Sequence, residues 1–215
     1  KKCGYQVHGV IDIGANNGQW SLDLKSFLDE TQKRESTQFL LMEGNDMHSD
    51  SLTKTGFPFH IGLVAETEKE VKFYKVADPS KPQNTGNSMF KEAGWSDDMH
   101  VVVKALTLDH VVKASGLGPF NFMKIDVQGA EVQVLNGGKE TLQNVEVIAT
   151  EASIQNYNQG GATLFDLPSA MENLGFAFYD IIDLLRWTPT DHTEHVVQLD
   201  FLWVKKESSL WDKDC

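Results

Sequence analysis

The stretch Val10-Ile11-Asp12-Ile13-Gly14-Ala15-Asn16-Asn17-Gly18 constrains this chain more than any other. An apolar run ends in an acid and a turn bracketed by two glycines, and a helix-like segment, 19–27, follows. This is how an α/β protein converts a buried first strand into a ligand-binding loop. Gly14 and Gly18 let the backbone approach a ligand closely, and the start of the helix aims free N–H groups at it. The spacing is G-x-x-x-G, not the G-x-G-x-x-G of dinucleotide-binding loops. It points away from a nicotinamide cofactor and toward S-adenosylmethionine. The loop holds no Lys or Arg and no G-K-[ST] ending, so ATP and GTP are poor candidates.

The remaining chain alternates strand and helix patterns, which predicts a mostly parallel sheet covered on both faces. Strands are expected at 7–13, 38–43, 57–65, 120–127 and 145–151, with a last antiparallel hairpin at 177–182 and 197–204. Helices are expected at 17–30, 46–54 (capped by Asp46), 106–114, 130–136 and 163–174. The alternating segment 70–76 and the Val-rich segment 100–106 form a smaller added pair. The expected fold class is therefore α/β: a Rossmann-like, seven-stranded, mostly parallel sheet with helices on both faces and a small β/loop insertion. Segment 78–99 breaks the rhythm with prolines, glycines and polar residues, and is expected to be a lid or substrate loop.

At 215 residues the chain is long enough for one domain with a sizeable core, spanning 1–215. It begins at Lys1 rather than Met, which allows a domain cut from a longer protein. Thirty-one acidic against 19 basic residues give a net charge of -12. That balance disfavours a phosphate-binding groove for nucleic acid and disfavours anionic membrane surfaces. No apolar run is long enough for membrane insertion and no signal peptide is seen, so a cytoplasmic location is expected. Cys3 and Cys215 sit at opposite ends and permit no internal disulfide framework or Cys-rich metal site.

Ligands of open α/β sheets bind beyond the carboxyl ends of the strands. Four expected strands end in acids there: Asp12, Glu43, Asp126 and Glu151. Glu43 is placed to accept two hydrogen bonds from a ribose diol. Asp12 is placed to organise the glycine loop and a cofactor ammonium, and Ala65 to lie near an adenine. Carboxylates in such number favour a cationic sulfonium cofactor over a phosphate-bearing one.

The block Lys124-Ile125-Asp126-Val127-Gln128-Gly129-Ala130-Glu131, followed by Val134-Leu135-Asn136-Gly137, resembles the K-I-D-V-E-G-A-E…V-L-x-G signature of FkbM-type methyltransferases. Residues 10–18 resemble the family's D-x-G-A-N-x-G motif, and Glu43-Gly44-Asn45 its E-P-N motif. Asn87-Ser88 and Thr107-Leu108-Asp109 resemble two further motifs, so the resemblance covers most of 10–151. Gln128 stands where the family often has Glu, and Gly44 replaces the usual Pro. The resemblance implies S-adenosylmethionine-dependent O-methylation, commonly of sugar hydroxyls in glycans, glycolipids or glycosylated metabolites. It implies cofactor contacts from Asp12, Gly14, Asn16, Gly18, Glu43, Asn45 and Asp126.

Methyl transfer to a hydroxyl needs positioning and a proton acceptor. The candidates are Asp126, Glu151 and His195, the last just before the final strand. Asp126 and Glu151 are also candidates for a divalent metal that would acidify the hydroxyl, whereas His192 and His195 have no third ligand in sequence. Ser88 and Trp95 in the 78–99 segment are expected at the substrate, and Trp187 is a second candidate for stacking on a sugar ring. Two rival readings are a non-catalytic cofactor- or glycan-binding module of the same fold and a nicotinamide-dependent oxidoreductase.

Overall fold

The computed structural model describes residues 5–32, 37–75, 86–155, 158–187 and 194–212. In chain order the strands and helices are β1 (Gly9–Ile13), α1 (Gln19–Gln32), β2 (Gln38–Glu43), α2 (Ser49–Thr55), β3 (Phe59–Ile61), β4 (Leu63–Val64), β5 (Lys69–Tyr74), β6 (Lys91–Glu92) and β7 (His100–Leu106). They continue as α3 (Leu108–Ser115), β8 (Phe122–Ile125), α4 (Glu131–Asn136), β9 (Val147–Ser153), β10 (Asn158–Gln159), α5 (Leu167–Asn173), β11 (Phe176–Trp187) and β12 (His195–Lys205).

Seven strands form the main sheet in the order β11-β12-β9-β8-β1-β2-β3. The pairs from β9 to β3 are parallel, and β12 runs antiparallel to both β9 and β11. This is the expected Rossmann-like sheet. Strand order reverses at β1, which pairs with β2 on one side and β8 on the other, so a crevice opens above its carboxyl end. All five residues of β1 are buried, as a central parallel strand requires. The main core packs Ile11, Ile13, Met123, Ile125 and Ile148 against Leu108, Leu135 and Met171 from the helices. A second cluster around Val10, Leu28, Phe39 and Leu52 covers the other face.

The structure departs from the sequence reading in four places. The expected third strand 57–65 divides at Gly62: β3 joins the main sheet, while β4 pairs with β7 in a three-stranded sheet with β5. Up to Gly62, whose N–H still donates to the Glu43 carbonyl at 2.9 Å, the segment follows β2; beyond it Leu63 and Val64 pair with Ala105 and Leu106 instead. Asn45, not Asp46, caps the turn after β2, accepting from Met47 N at 3.2 Å. The last helix starts at Leu167 rather than near residue 163, because Asp166 accepts from Thr163 and ties the preceding loop into a turn. The final hairpin runs several residues beyond its expected ends.

The Thr107-Leu108-Asp109 motif is structural. Thr107 Oγ1 accepts from His110 N and caps α3. The Asp109 carboxylate accepts from Glu140 N, Thr141 N and the Thr141 hydroxyl, pinning the turn after α4. Among the described residues no helix is long and apolar enough to cross a membrane. Cys3, Cys215 and His192 lie outside the described residues.

Candidate active site

A cavity of about 390 Å³ opens above the carboxyl ends of β1, β2, β8 and β9, at the point where strand order reverses. That volume lies within the range of roughly 300–1,000 Å³ typical of small-molecule pockets. Met42, Leu63, Val64 and Phe73 give it an apolar part; Glu43 lies at its β2 side, and Asp126 and Glu151 at its β8–β9 side. No Lys or Arg lines it among the described residues.

The floor is the glycine turn after β1. Gly14 and Ala15 both donate their N–H groups to the Met42 carbonyl, and Gly18 N donates to the Ala15 carbonyl. Gly14 has φ +82°, and a Cβ there would fall 1.8 Å from the Asp126 carbonyl oxygen. Only glycine lets the two strand ends approach this closely. Glu43 fastens this turn to the next. Its Oε2 accepts from Asn16 N at 2.8 Å and its Oε1 from Asn45 N at 2.7 Å. Burial pushes the Glu43 carboxyl above its ordinary value, and those two N–H groups oppose the shift.

The second half of the cavity is a charge network. Lys124 Nζ lies 2.9 Å from Asp126 Oδ2 and 3.9 Å from Asp12 Oδ1, and it sits over the Trp20 ring. Gln128, held at φ +55°, donates its amide to Asp126 Oδ1 at 3.3 Å and to both Glu151 oxygens at 3.0 and 2.9 Å. The Asp126 and Glu151 carboxyls thus share one amide. Burial drives Asp126 upward, but Lys124 and the hydrogen bonds from Glu151, Lys124 and Gln128 outweigh it and hold the group below its usual range. Burial, and then the Asp126 charge, push Glu151 far above the usual carboxylate range. The pair is thus driven apart, Asp126 toward its ionised form and Glu151 toward its protonated one.

The turn that carries Gln128 is braced from below. Fully buried Glu131 accepts from Val127 N at 3.3 Å and Gly129 N at 3.0 Å through one oxygen. Burial pushes its carboxyl up to about 7. From above, Ser88 donates its hydroxyl to the Gln128 carbonyl at 2.7 Å.

Of the residues singled out in the sequence, Gly14, Asn16, Glu43, Ser88, Asp126 and Glu151 line the cavity. Asp12, Gly18, Asn45, Ala65, Trp95 and His195 do not. Asp12 is fully buried beneath the loop, accepting from the Ser21 hydroxyl at 2.7 Å, so it supports the turn from inside. Gly18 packs toward Leu52 and Thr55, and the Ala65 backbone is closed off by Gly137. Ser88 lines the wall, but its hydroxyl is already engaged as donor to Gln128 and as acceptor from Phe90 N. Within the expected 78–99 loop, residues 78–85 lie outside the described residues. The rest is tied down by the Tyr74–Ser88 bridge and by pairing of β6 with β10. His195 stands at the tip of the final hairpin, its Nε2 3.0 Å from Gln155 Nε2 and its ring edge-on to Trp187.

Sequence reasoning missed Lys124, Gln128, Leu185 and Gln198. Lys124 could have been found: on a parallel strand two residues before an acid, its side chain and that of Asp126 share one face. For a divalent cation the donor set fits poorly, since Lys124 already neutralises Asp126 and Glu151 holds a proton. Among the described residues no group of three His, Cys, Asp or Glu side chains is placed to bind a metal. For S-adenosylmethionine the set fits: a glycine floor, a carboxylate at the end of β2, an apolar wall and an anionic far side.

Residues 12–186 match the Methyltransferase FkbM domain model. Over 166 residues the chain is 27% identical to the 2-O-methyltransferase NoeI of Sinorhizobium fredii, covering 70% of this chain and 65% of NoeI. Its fold is similar to the crystal structure of methyltransferase FkbM from Methylobacillus flagellatus KT, with a TM-score of 0.55 and 15% identity, covering 91% of this chain and 43% of that one. The chain thus spans about two-thirds of the curated relative and less than half of the crystallised one. With this match running from the end of β1 into β11, the chain belongs to the FkbM family of S-adenosylmethionine-dependent methyltransferases.

Proposed function

We propose that this chain is an S-adenosylmethionine-dependent O-methyltransferase whose acceptor is a sugar hydroxyl. The observation that carries the reading is the cavity lining: three carboxyl groups and, among the described residues, no Lys or Arg, at the sheet's reversal point. Such a lining suits a sulfonium cation and repels phosphate. The naming of NoeI as a 2-O-methyltransferase supports an oxygen acceptor.

The bound cofactor supplies the electrophilic methyl group. In this reading Glu43 receives the ribose hydroxyls on its remaining lone pairs, and the Met42, Leu63 and Phe73 wall faces the adenine. Gly14 and Asn16 form the floor beneath the amino-acid end. Asp126, kept ionised by Lys124, accepts the hydrogen bond of the acceptor hydroxyl and takes its proton as the new C–O bond forms. Glu151, protonated and clamped by Gln128, fixes the Asp126 carboxylate in place.

Calorimetric titration with S-adenosylhomocysteine and with NADH tests the cofactor. Radiolabelled methyl transfer to a panel of methyl glycosides and disaccharides tests the acceptor. Binding of S-adenosylhomocysteine alone, with label on a sugar oxygen, is expected. NADH binding overturns the cofactor assignment. Cofactor binding without transfer to any hydroxyl supports the non-catalytic module instead.

A further inference from the structure

The hairpin of β11 and β12 does more than close the sheet edge. Leu185 and Gln198 pair across it and both line the cavity, and the adjoining register places Asp200 beside Glu151 and Gln198 beside Ser153. The hairpin therefore borders the Asp126–Glu151 side of the cavity and not the Glu43 side. Two pairs further out, Trp187 faces His195. The Trp187–His195 pair thus stands near the cavity rim, an exposed aromatic face just beyond a register shift between Leu185 and Arg186.

That face is built for a neutral polyhydroxylated ring. The Trp187 side chain is 56% exposed, a large aromatic surface left open. Its orientation is nonetheless set, edge-on to the His195 imidazole at 5.8 Å and 73°. His195 is in turn held by Gln155 at 3.0 Å. His195 and, through it, Gln155 set imidazole and amide hydrogen-bonding groups beside the indole, and Gln198 lies between them and the cavity. An aromatic platform edged by hydrogen-bonding groups matches a sugar ring, with its apolar C–H face and polar rim.

We propose that Trp187, with Gln155, His195 and Gln198, forms an acceptor subsite for the sugar unit next to the one that is methylated. His195, a candidate base in the sequence, thereby becomes a substrate-binding residue outside the cavity. The proposal rests on the sugar-methyltransferase reading above.

The test compares methyl transfer to methyl glycosides with transfer to the disaccharides of the same sugars (glucose, galactose, mannose and N-acetylglucosamine) at saturating S-adenosylmethionine. In the wild-type chain the disaccharide should have a KM about tenfold lower at similar kcat, the scale of one aromatic contact. Trp187→Ala should erase that advantage and Trp187→Phe should keep part of it, with S-adenosylhomocysteine affinity unchanged in both. A disaccharide advantage that survives Trp187→Ala, or no advantage in the wild type, overturns the subsite while leaving the methyltransferase reading intact. Failure to bind S-adenosylhomocysteine, or to methylate any sugar, overturns the function reading itself, and the subsite with it.

Discussion

Glu43 stands at the junction of two turns, so its replacement by Ala should be felt twice. The side chain accepts from Asn16 N and Asn45 N, each within 2.8 Å. Both are charge-assisted bonds, worth roughly 1.5–3 kcal/mol each before water recovers part of the loss. Asn45 is buried, so its N–H finds little water once the carboxylate is gone. Summed with partial rehydration at the more open Asn16, Glu43→Ala should cost about 2–4 kcal/mol of folding stability. In the proposed complex the same carboxylate also receives the ribose hydroxyls, so affinity for S-adenosylhomocysteine should fall by about 10- to 100-fold. Glu43→Gln separates the two effects. Its single carbonyl oxygen keeps at most one clamp, and its amide N–H₂ is turned toward the other N–H. It should fall between wild type and Ala in urea unfolding, and near Ala in calorimetry. A wild-type urea midpoint for Glu43→Ala would refute the clamp. A lowered midpoint with unchanged dissociation constant would leave Glu43 a strut and remove it from the ribose.

Three further outcomes follow from the site. Glu131 has its carboxyl raised from 4.5 to about 7, so its contribution to stability is full below about pH 4.5 and is lost as pH rises through about 7. That loss is worth about 3 kcal/mol, and Glu131→Gln should flatten the decline of the urea midpoint between pH 5 and 8; equal slopes would reject the assignment. Asp126→Asn should lower kcat by about 10²-fold with little change in S-adenosylhomocysteine affinity, and EDTA should leave wild-type turnover unchanged. Loss of activity in EDTA with recovery in Mg²⁺ would replace the Lys124-held carboxylate by a metal-bound one. Gly14→Ala should cost about 3 kcal/mol or more, since its Cβ meets the Asp126 carbonyl at 1.8 Å with φ at +82°; a near-native urea midpoint would contradict the geometry.

The central strands were legible because β1, β2, β8 and β9 are short apolar runs bounded by turn residues. Their parallel arrangement was legible because strands that alternate with helices are joined by crossover connections. The break at Gly62 was not, since Phe59 to Val64 reads as one run, and it is decided by partners distant in sequence, β2 for β3 and β7 for β4. Glu43, Asp126 and Glu151 were found by their positions at strand ends, although β9 continues past Glu151 to Ser153. Asp12 and Asn45 share the same motifs, yet their side chains turn into the protein. Strand position says that a side chain is near a ligand cavity, but capping and burial decide whether it faces that cavity. Gln128 looked like a lost carboxylate. In the structure an amide is the group its neighbours need, because it can donate to two acids at once.

The charge count around Lys124 ties these features to the proposed chemistry. Asp12, Asp126 and Glu151 share one buried ammonium, an arrangement that would be costly with all three acids ionised. Burial pushes both Asp12 and Glu151 toward their protonated forms, so Asp126 is the carboxylate held ionised beside a cavity that, among the described residues, no Lys or Arg lines. A sulfonium brought against Asp126 would be attracted to it, whereas a pyrophosphate would be repelled. Transfer of the methyl group leaves a neutral thioether and delivers the hydroxyl proton to the same carboxylate. The attraction that holds the cofactor before reaction is thus weakened by the reaction, without movement of any main-chain element. Lys124 is what lets Asp126 serve both steps: it keeps the carboxylate ionised against its burial, and its own charge is held in place by fully buried Asp12 on the far side.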